Sequence, residues 1–183
     1  MNNRKLTIYL ESLSLIWLIF FLIRNNYKQK ELDIYYIDLS FPISFFGTYI
    51  DLSKFGIKKL EFKLKDLIDS KGELVQERIR RSDLFEFENL IESSETFINF
   101  LKSFETKSSN LKSFVLKSLV SSSQLEYRSV HRFIVSLEAI KKNNSLNQTS
   151  QSIFIIDKRA WPSIFQDFGH RYGIEIKQRI NLS

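Results

Sequence analysis

Hydrophobic positions along the chain group into a strand–helix–strand pattern at each end, with a long stretch of helical periodicity between them. Leu6, Thr7, Ile8, Tyr9 and Leu10 are aliphatic, β-branched or aromatic, which predicts a buried strand. Glu11 and Ser12 form the following turn, with Ser12 placed to cap a helix that opens at Leu13. Residues 13–23 are apolar on every side apart from Ser14, and a polar tail over 25–31 leads into a second strand over 32–38. Two strands joined by a helix in 33 residues make a βαβ unit, which implies parallel pairing in a sheet covered on both faces.

Phe41 and Pro42 end that strand, and the stretch to Ile57 is apolar but aperiodic. Leu60, Phe62 and Leu64 alternate with Glu61, Lys63 and Lys65, predicting a half-exposed strand. After the turn signal Ser70-Lys71-Gly72, helical spacing takes over. Phe87, Leu90, Ser94, Phe97, Leu101 and Phe104 step by three and four along one helix from about Ser82, and Tyr127, Val130, Phe133, Ile134, Leu137 and Ile140 repeat the step. The polar run from Asn143 to Gln151 reads as a linker. A buried strand over 152–156 follows, ending at Asp157, Lys158 and Arg159. Pro162 suits the first position of a helix carrying Ile164, Phe165, Phe168 and Tyr172 on one side, and Gly173 suits its left-handed terminator. Residues 174–180 then alternate as a closing strand. The expected architecture is a single α/β domain over 1–183, an open Rossmann-like, mainly parallel sheet with a helical middle segment. Its parts are a first βαβ portion over 1–64, a helical segment over 65–145, a linker over 146–151 and a closing βαβ unit over 152–183.

Composition narrows the chemistry. The 183 residues include no Cys, which excludes a disulfide framework, a thiolate nucleophile, a cysteine zinc site and an iron–sulfur cluster, and suits a reducing compartment. Five Gly leave little room for a glycine-rich phosphate cradle, and no G-x-G-x-x-G, Walker A, G-x-S-x-G or H-E-x-x-H motif occurs. Aromatic residues at 14% exclude a disordered chain. The net charge of +6 is uneven: residues 1–100 hold 14 Lys and Arg against 15 Asp and Glu, whereas 101–183 hold 13 against 6. Such a basic half can draw anions, but Lys102, Lys107, Lys112 and Lys117 recur every five residues, advancing about 140° per step on a helix, so they wrap round it and line no face. Nucleic acid is therefore not an expected partner.

Residues 13–23 admit more than one reading. The run is short for a spanning helix, and extending it back to Leu6 places Glu11 inside. No small-residue cleavage site follows Ile23. A helix buried against a sheet fits best; a helix inserted at the bilayer surface is the alternative and would make the chain a membrane-associated, non-enzymatic protein anchored at its N-terminal end.

Candidate chemistry falls where open α/β sheets bind ligands, beyond the carboxyl ends of their strands. Glu11, Asp38 and Asp157 stand at three such ends, and Lys158, Arg159 and His170 follow the last. Glu11 and Asp157 are the candidate catalytic carboxylates, by position, since a carboxylate in hydrogen-bond reach of a hydroxyl can take its proton. Asp38, Lys158, Arg159 and His170 are candidate substrate-binding groups, the arginine fork being suited to phosphate. Strand-end acids also cap neighbouring helices, and Lys158 and Arg159 also suit a solvated surface, so a structural role stands beside the chemical one. Neither His131 nor His170 has a carboxylate at fixed spacing, so no metal is expected, and no cofactor either.

The segment Asp157-Lys158-Arg159-Ala160-Trp161-Pro162, a helix, then Arg171-Tyr172-Gly173-Ile174 resembles the middle of bacterial cell-surface carbohydrate biosynthesis proteins, which in turn resemble two-lobed, GT-B-type glycosyltransferases. The opening strand Leu6 to Leu10 with Glu11 and Ser12, its apolar helix and the strand from Leu32 are similar to their first lobe. The resemblance implies the acceptor-side lobe of a transferase in surface-polysaccharide or lipopolysaccharide biosynthesis, incomplete alone. Its implied partners are a nucleotide-sugar-binding second lobe or subunit and a sugar or lipid-linked acceptor. Its implied place is the cytoplasm, peripheral to the inner membrane.

Overall fold

The structure, a computed structural model, describes residues 6–11, 32–37, 44–45, 48–49, 56–103, 112–114, 130–157 and 161–178. The chain forms two compact units, the first made of Met1–Glu61, Ile140–Lys158 and Gly169–Ser183, the second of Phe62–Ala139 and Arg159–Phe168.

The first unit is built on a five-stranded, all-parallel sheet. Its strands are β1 (Leu6–Leu10), β2 (Leu32–Tyr36), β5 (Ile57–Lys59), β6 (Gln151–Ile156) and β7 (Glu175–Gln178), in the order β5-β2-β1-β6-β7. A separate antiparallel pair joins β3 (Ser44–Phe45) to β4 (Thr48–Tyr49). This is the α/β, Rossmann-like arrangement expected from the two βαβ patterns. All five residues of β1 and the last five of β6 are buried, as a strand covered on both faces requires. On the edge strands β5 and β7 only Ile57 and Ile176 are buried. The chain runs from β1 outward to β2 and β5, then returns to the opposite side of β1 for β6 and β7.

Register is fixed by polar groups on one face. Thr7 pairs with Ser152 and Tyr9 with Phe154 across β1 and β6. The helix α4 (Val130–Asn147) reaches this unit with its last eight residues. There the Tyr9 hydroxyl donates to Asn144 Oδ1 at 2.8 Å and accepts from Asn143 Nδ2 at 2.7 Å. Asn144 Nδ2 donates to Ser152 Oγ at 3.1 Å, and the Thr7 and Thr149 hydroxyls share a hydrogen bond of 3.2 Å. The Tyr9 ring stacks on Tyr35 of β2 with centroids 5.5 Å apart. Helix α5 (Pro162–Arg171) contributes its last turn to this unit, where Gly169 lies so close to β7 that a Cβ would stand 2.1 Å from Ile176 Cγ1 and 2.8 Å from the Ile174 carbonyl oxygen. Gly173, at φ +69°, terminates α5 as expected, with its N–H on the His170 carbonyl.

The second unit is helical. Its winding opens with α1 (Val75–Arg78), widens into a π-helical segment (Ile79–Asp83) and continues as α2 (Leu84–Ser93) and α3 (Glu95–Lys102). Phe87 packs against Phe165 and Phe168 of α5 at 5.0 and 5.2 Å, and Phe133 of α4 meets Phe165 edge-on at 4.9 Å. Arg78 sits among three carboxylates, Asp69 at 3.5 Å, Asp83 at 3.0 Å and Glu138 at 2.5 Å.

Three expectations are corrected. The half-exposed strand is Ile57–Lys59 and not the alternating run from Leu60: Leu60 is buried and its N–H still bonds the Tyr36 carbonyl, but Leu64 is exposed in a 3₁₀ turn. The single helix through Phe104 breaks at Ser94, whose backbone is extended and whose Oγ accepts from the Phe97 N–H at 3.3 Å; serine competes for backbone groups and so favours a cap over a helix interior. The linker shrinks to 148–150, because α4 runs on to Asn147: Asn143 and Asn144 are held by Tyr9, and Gln148 then turns at φ +50°. The expected helix over 13–23 lies outside the described residues. Among the described residues no helix is long and apolar enough to cross a membrane.

Tyr9→Phe leaves Asn143 and Asn144 short of a partner and is expected to lower stability by about 1–3 kcal/mol in urea unfolding near pH 8. Burial pushes the Tyr9 phenol up to about 12. Between an unfolded value near 10 and that folded value, the unfolded chain binds fewer protons than the native one, so stability falls as pH rises. Tyr9→Phe lacks this contribution, and its deficit relative to the parent is expected to shrink across that window.

Candidate functional site

The order of strands reverses between β1 and β6, which is the topological switch point where open α/β sheets place their ligands. Glu11 follows β1 and Asp157 follows β6, so the two candidate carboxylates stand at the carboxyl ends of the strands that flank this point. The Glu11 N–H extends the ladder to the Ile155 carbonyl at 2.9 Å, and Glu11 Oε2 then accepts the Asp157 N–H at 2.9 Å. Where the backbone ladder runs out, a side-chain carboxylate takes over as acceptor. The ends of two strands are thereby tied together by residues 146 positions apart in the chain.

Exposure decides what this pair can do. Glu11 is 2% and Asp157 8% exposed, so neither carboxylate is a solvated surface acid. In so dry a place, a charge interacts more strongly with a hydroxyl or a cation than in water, and an unbonded one would be costly to keep. Glu11 combines bracing with position, while Asp157 is held through its backbone and carries its carboxylate at the same strand edge.

The other predicted groups are placed differently. His170 is exposed on α5. Among the described residues no hydrogen bond or ion pair links it to Glu11 or Asp157. Asp38, Lys158 and Arg159 lie outside the described residues. His131, half-buried on α4 in the second unit, is held below the usual histidine range by burial and then by the Arg80 charge. Among the described residues no group of three His, Asp or Glu could hold a metal ion.

Sequence reasoning missed the Tyr9–Asn143–Asn144–Ser152 network, since two asparagines in a polar run read as linker. It also missed Arg78, whose three acids come from separate elements. The first joins residues far apart in the chain, and Arg78 adds to its near neighbours Asp69 and Asp83 an acid 60 positions away, Glu138, so no local spacing announced either arrangement. No family model, no curated protein and no solved structure matches the chain.

The brace is separable from the charge. Glu11→Gln keeps an acceptor for the Asp157 N–H, whereas Glu11→Ala leaves that N–H buried and unbonded. Glu11→Ala is expected to be about 1–3 kcal/mol less stable than Glu11→Gln by chemical denaturation, with faster amide exchange at Asp157.

Proposed function

We propose that the chain is the acceptor-side lobe of a glycosyltransferase-like protein of surface-polysaccharide or lipopolysaccharide biosynthesis, acting with a nucleotide-sugar-binding second lobe or subunit. The observation that carries this reading is the pair of buried carboxylates, Glu11 and Asp157, at the switch point of a parallel sheet. Sugar hydroxyls are hydrogen-bond donors, and a buried carboxylate is a strong acceptor for them.

In the transfer, the acceptor hydroxyl oxygen forms a bond to the anomeric carbon of the donor sugar. The bond from that carbon to the phosphate oxygen breaks, and the nucleotide leaves with its electron pair. The hydroxyl proton passes to the carboxylate in reach of it, for which Asp157 is the candidate. The donor is held by the second lobe or subunit, which supplies the phosphate-binding groups.

The test is binding of the full chain to a printed panel of mannose-, rhamnose- and N-acetylglucosamine-terminated oligosaccharides, followed by calorimetry with the oligosaccharide retained. Saturable binding that Asp157→Asn weakens by about tenfold, equal to about 1.4 kcal/mol, is the expected result, with no nucleotide-sugar turnover by the chain alone. Binding of nucleotide sugars in place of saccharides, or saccharide affinity indifferent to Asp157→Asn, would overturn the reading.

A further inference from the structure

Trp161 breaks three conformational preferences at once. Its φ is +54°, a left-handed value that bulky residues rarely adopt. It precedes Pro162, and a residue before proline is driven to extended backbone. Its carbonyl accepts the Ile164 N–H at 3.1 Å, which puts it at the cap of α5, where extended backbone is again the rule. The side chain shares the tension. The ring meets the buried Phe97 edge-on at 6.2 Å, while the indole N–H is itself buried and among the described residues finds no acceptor. A residue held this far from its preferences is a candidate for function, because relief is available as soon as another state is stabilised.

We infer that Trp161 is a saccharide-binding residue stored in a strained, ligand-free state. This rests on the reading that the chain meets a sugar acceptor. Relaxation by roughly 170°, to the φ near −120° preferred before proline, re-aims the side chain. The indole N–H then donates to a sugar oxygen, and the ring covers the apolar face of the pyranose. An indole suits such a ligand because it joins a broad apolar surface to one donor. Strain and orphaned donor are both relieved in the bound state, so ligand affinity draws on tension already present in the free protein.

Two measurements test this. Trp161→Gly and Trp161→Ala both remove the ring, so their difference isolates the backbone. Glycine ordinarily destabilises relative to alanine, but at a left-handed position the order inverts. The Gly variant is expected to have a folding equilibrium constant roughly fivefold above that of the Ala variant in urea titration, and the ordinary order would overturn the inference. For ligand coupling, the oligosaccharide panel is applied to the parent and to Trp161→Phe, which keeps an aromatic ring against Phe97 but has no N–H. In a Trp17→Phe background Trp161 is the one remaining tryptophan, and its emission is expected to shift on saccharide binding. At least tenfold weaker binding by Trp161→Phe supports the proposal. Undiminished binding by Trp161→Phe, or emission of the Trp17→Phe variant that stays unchanged as it binds, overturns it and leaves the acceptor-lobe reading intact. A parent that binds no saccharide overturns both.

Discussion

The pairing of β1 with β6 is the constraint on which the first unit depends. These strands are the two most buried of the sheet and are remote in sequence, so their ladder closes most of the chain into one loop. Burial alone does not specify how they meet. Ile153, Phe154, Ile155 and Ile156 form an unbroken apolar run, and a strand without alternation can slip by one residue at little hydrophobic cost. The polar matches remove that freedom. Thr7 with Thr149, Tyr9 with Asn143 and Asn144, and Asn144 with Ser152 can all be made in one register, and a slip turns Tyr9 and Ser152 away from the asparagines. Glu11 locks the same register from the other end through the Asp157 N–H.

The second unit uses a different device. Its aromatic contacts, Phe87 with Phe165 and Phe168 and Phe133 with Phe165, supply area but little direction. Arg78 supplies direction: one guanidinium gathers Asp69 from the turn, Asp83 from the π-helical segment and Glu138 from α4. Removing either side of such a cluster leaves a partly buried charge uncompensated, so the cluster acts as a specificity element more than as a source of net stability.

Strands and helices whose burial follows their own periodicity were legible in the sequence. β1, β2, β6, α5 and the Gly173 terminator stand close to where patterning placed them, because their local chemistry and tertiary role agree. Errors arose where tertiary contacts outweighed local preference. Asn143, Asn144 and Asn147 are poor helix formers and read as linker, yet the first two are held by Tyr9 and the third by Asn143. Ser94 fell on an apolar stripe at the right spacing, and its side chain instead capped a new helix. For the site, the strand-end positions of Glu11 and Asp157 were readable, but the bond between them was not. It joins a side chain to a backbone group across 146 positions, which no local spacing encodes.

Bracing accounts for only part of what Glu11 contributes. A neutral glutamine would accept the same N–H, and it would do so without the penalty of holding a charge at 2% exposure. The brace itself thus needs an acceptor oxygen at this position and not a charge. Fold and candidate chemistry meet at this point: the bond that ties β1 to β6 also fixes two buried acids at the carboxyl ends of the strands between which the order reverses, where open α/β sheets receive their ligands.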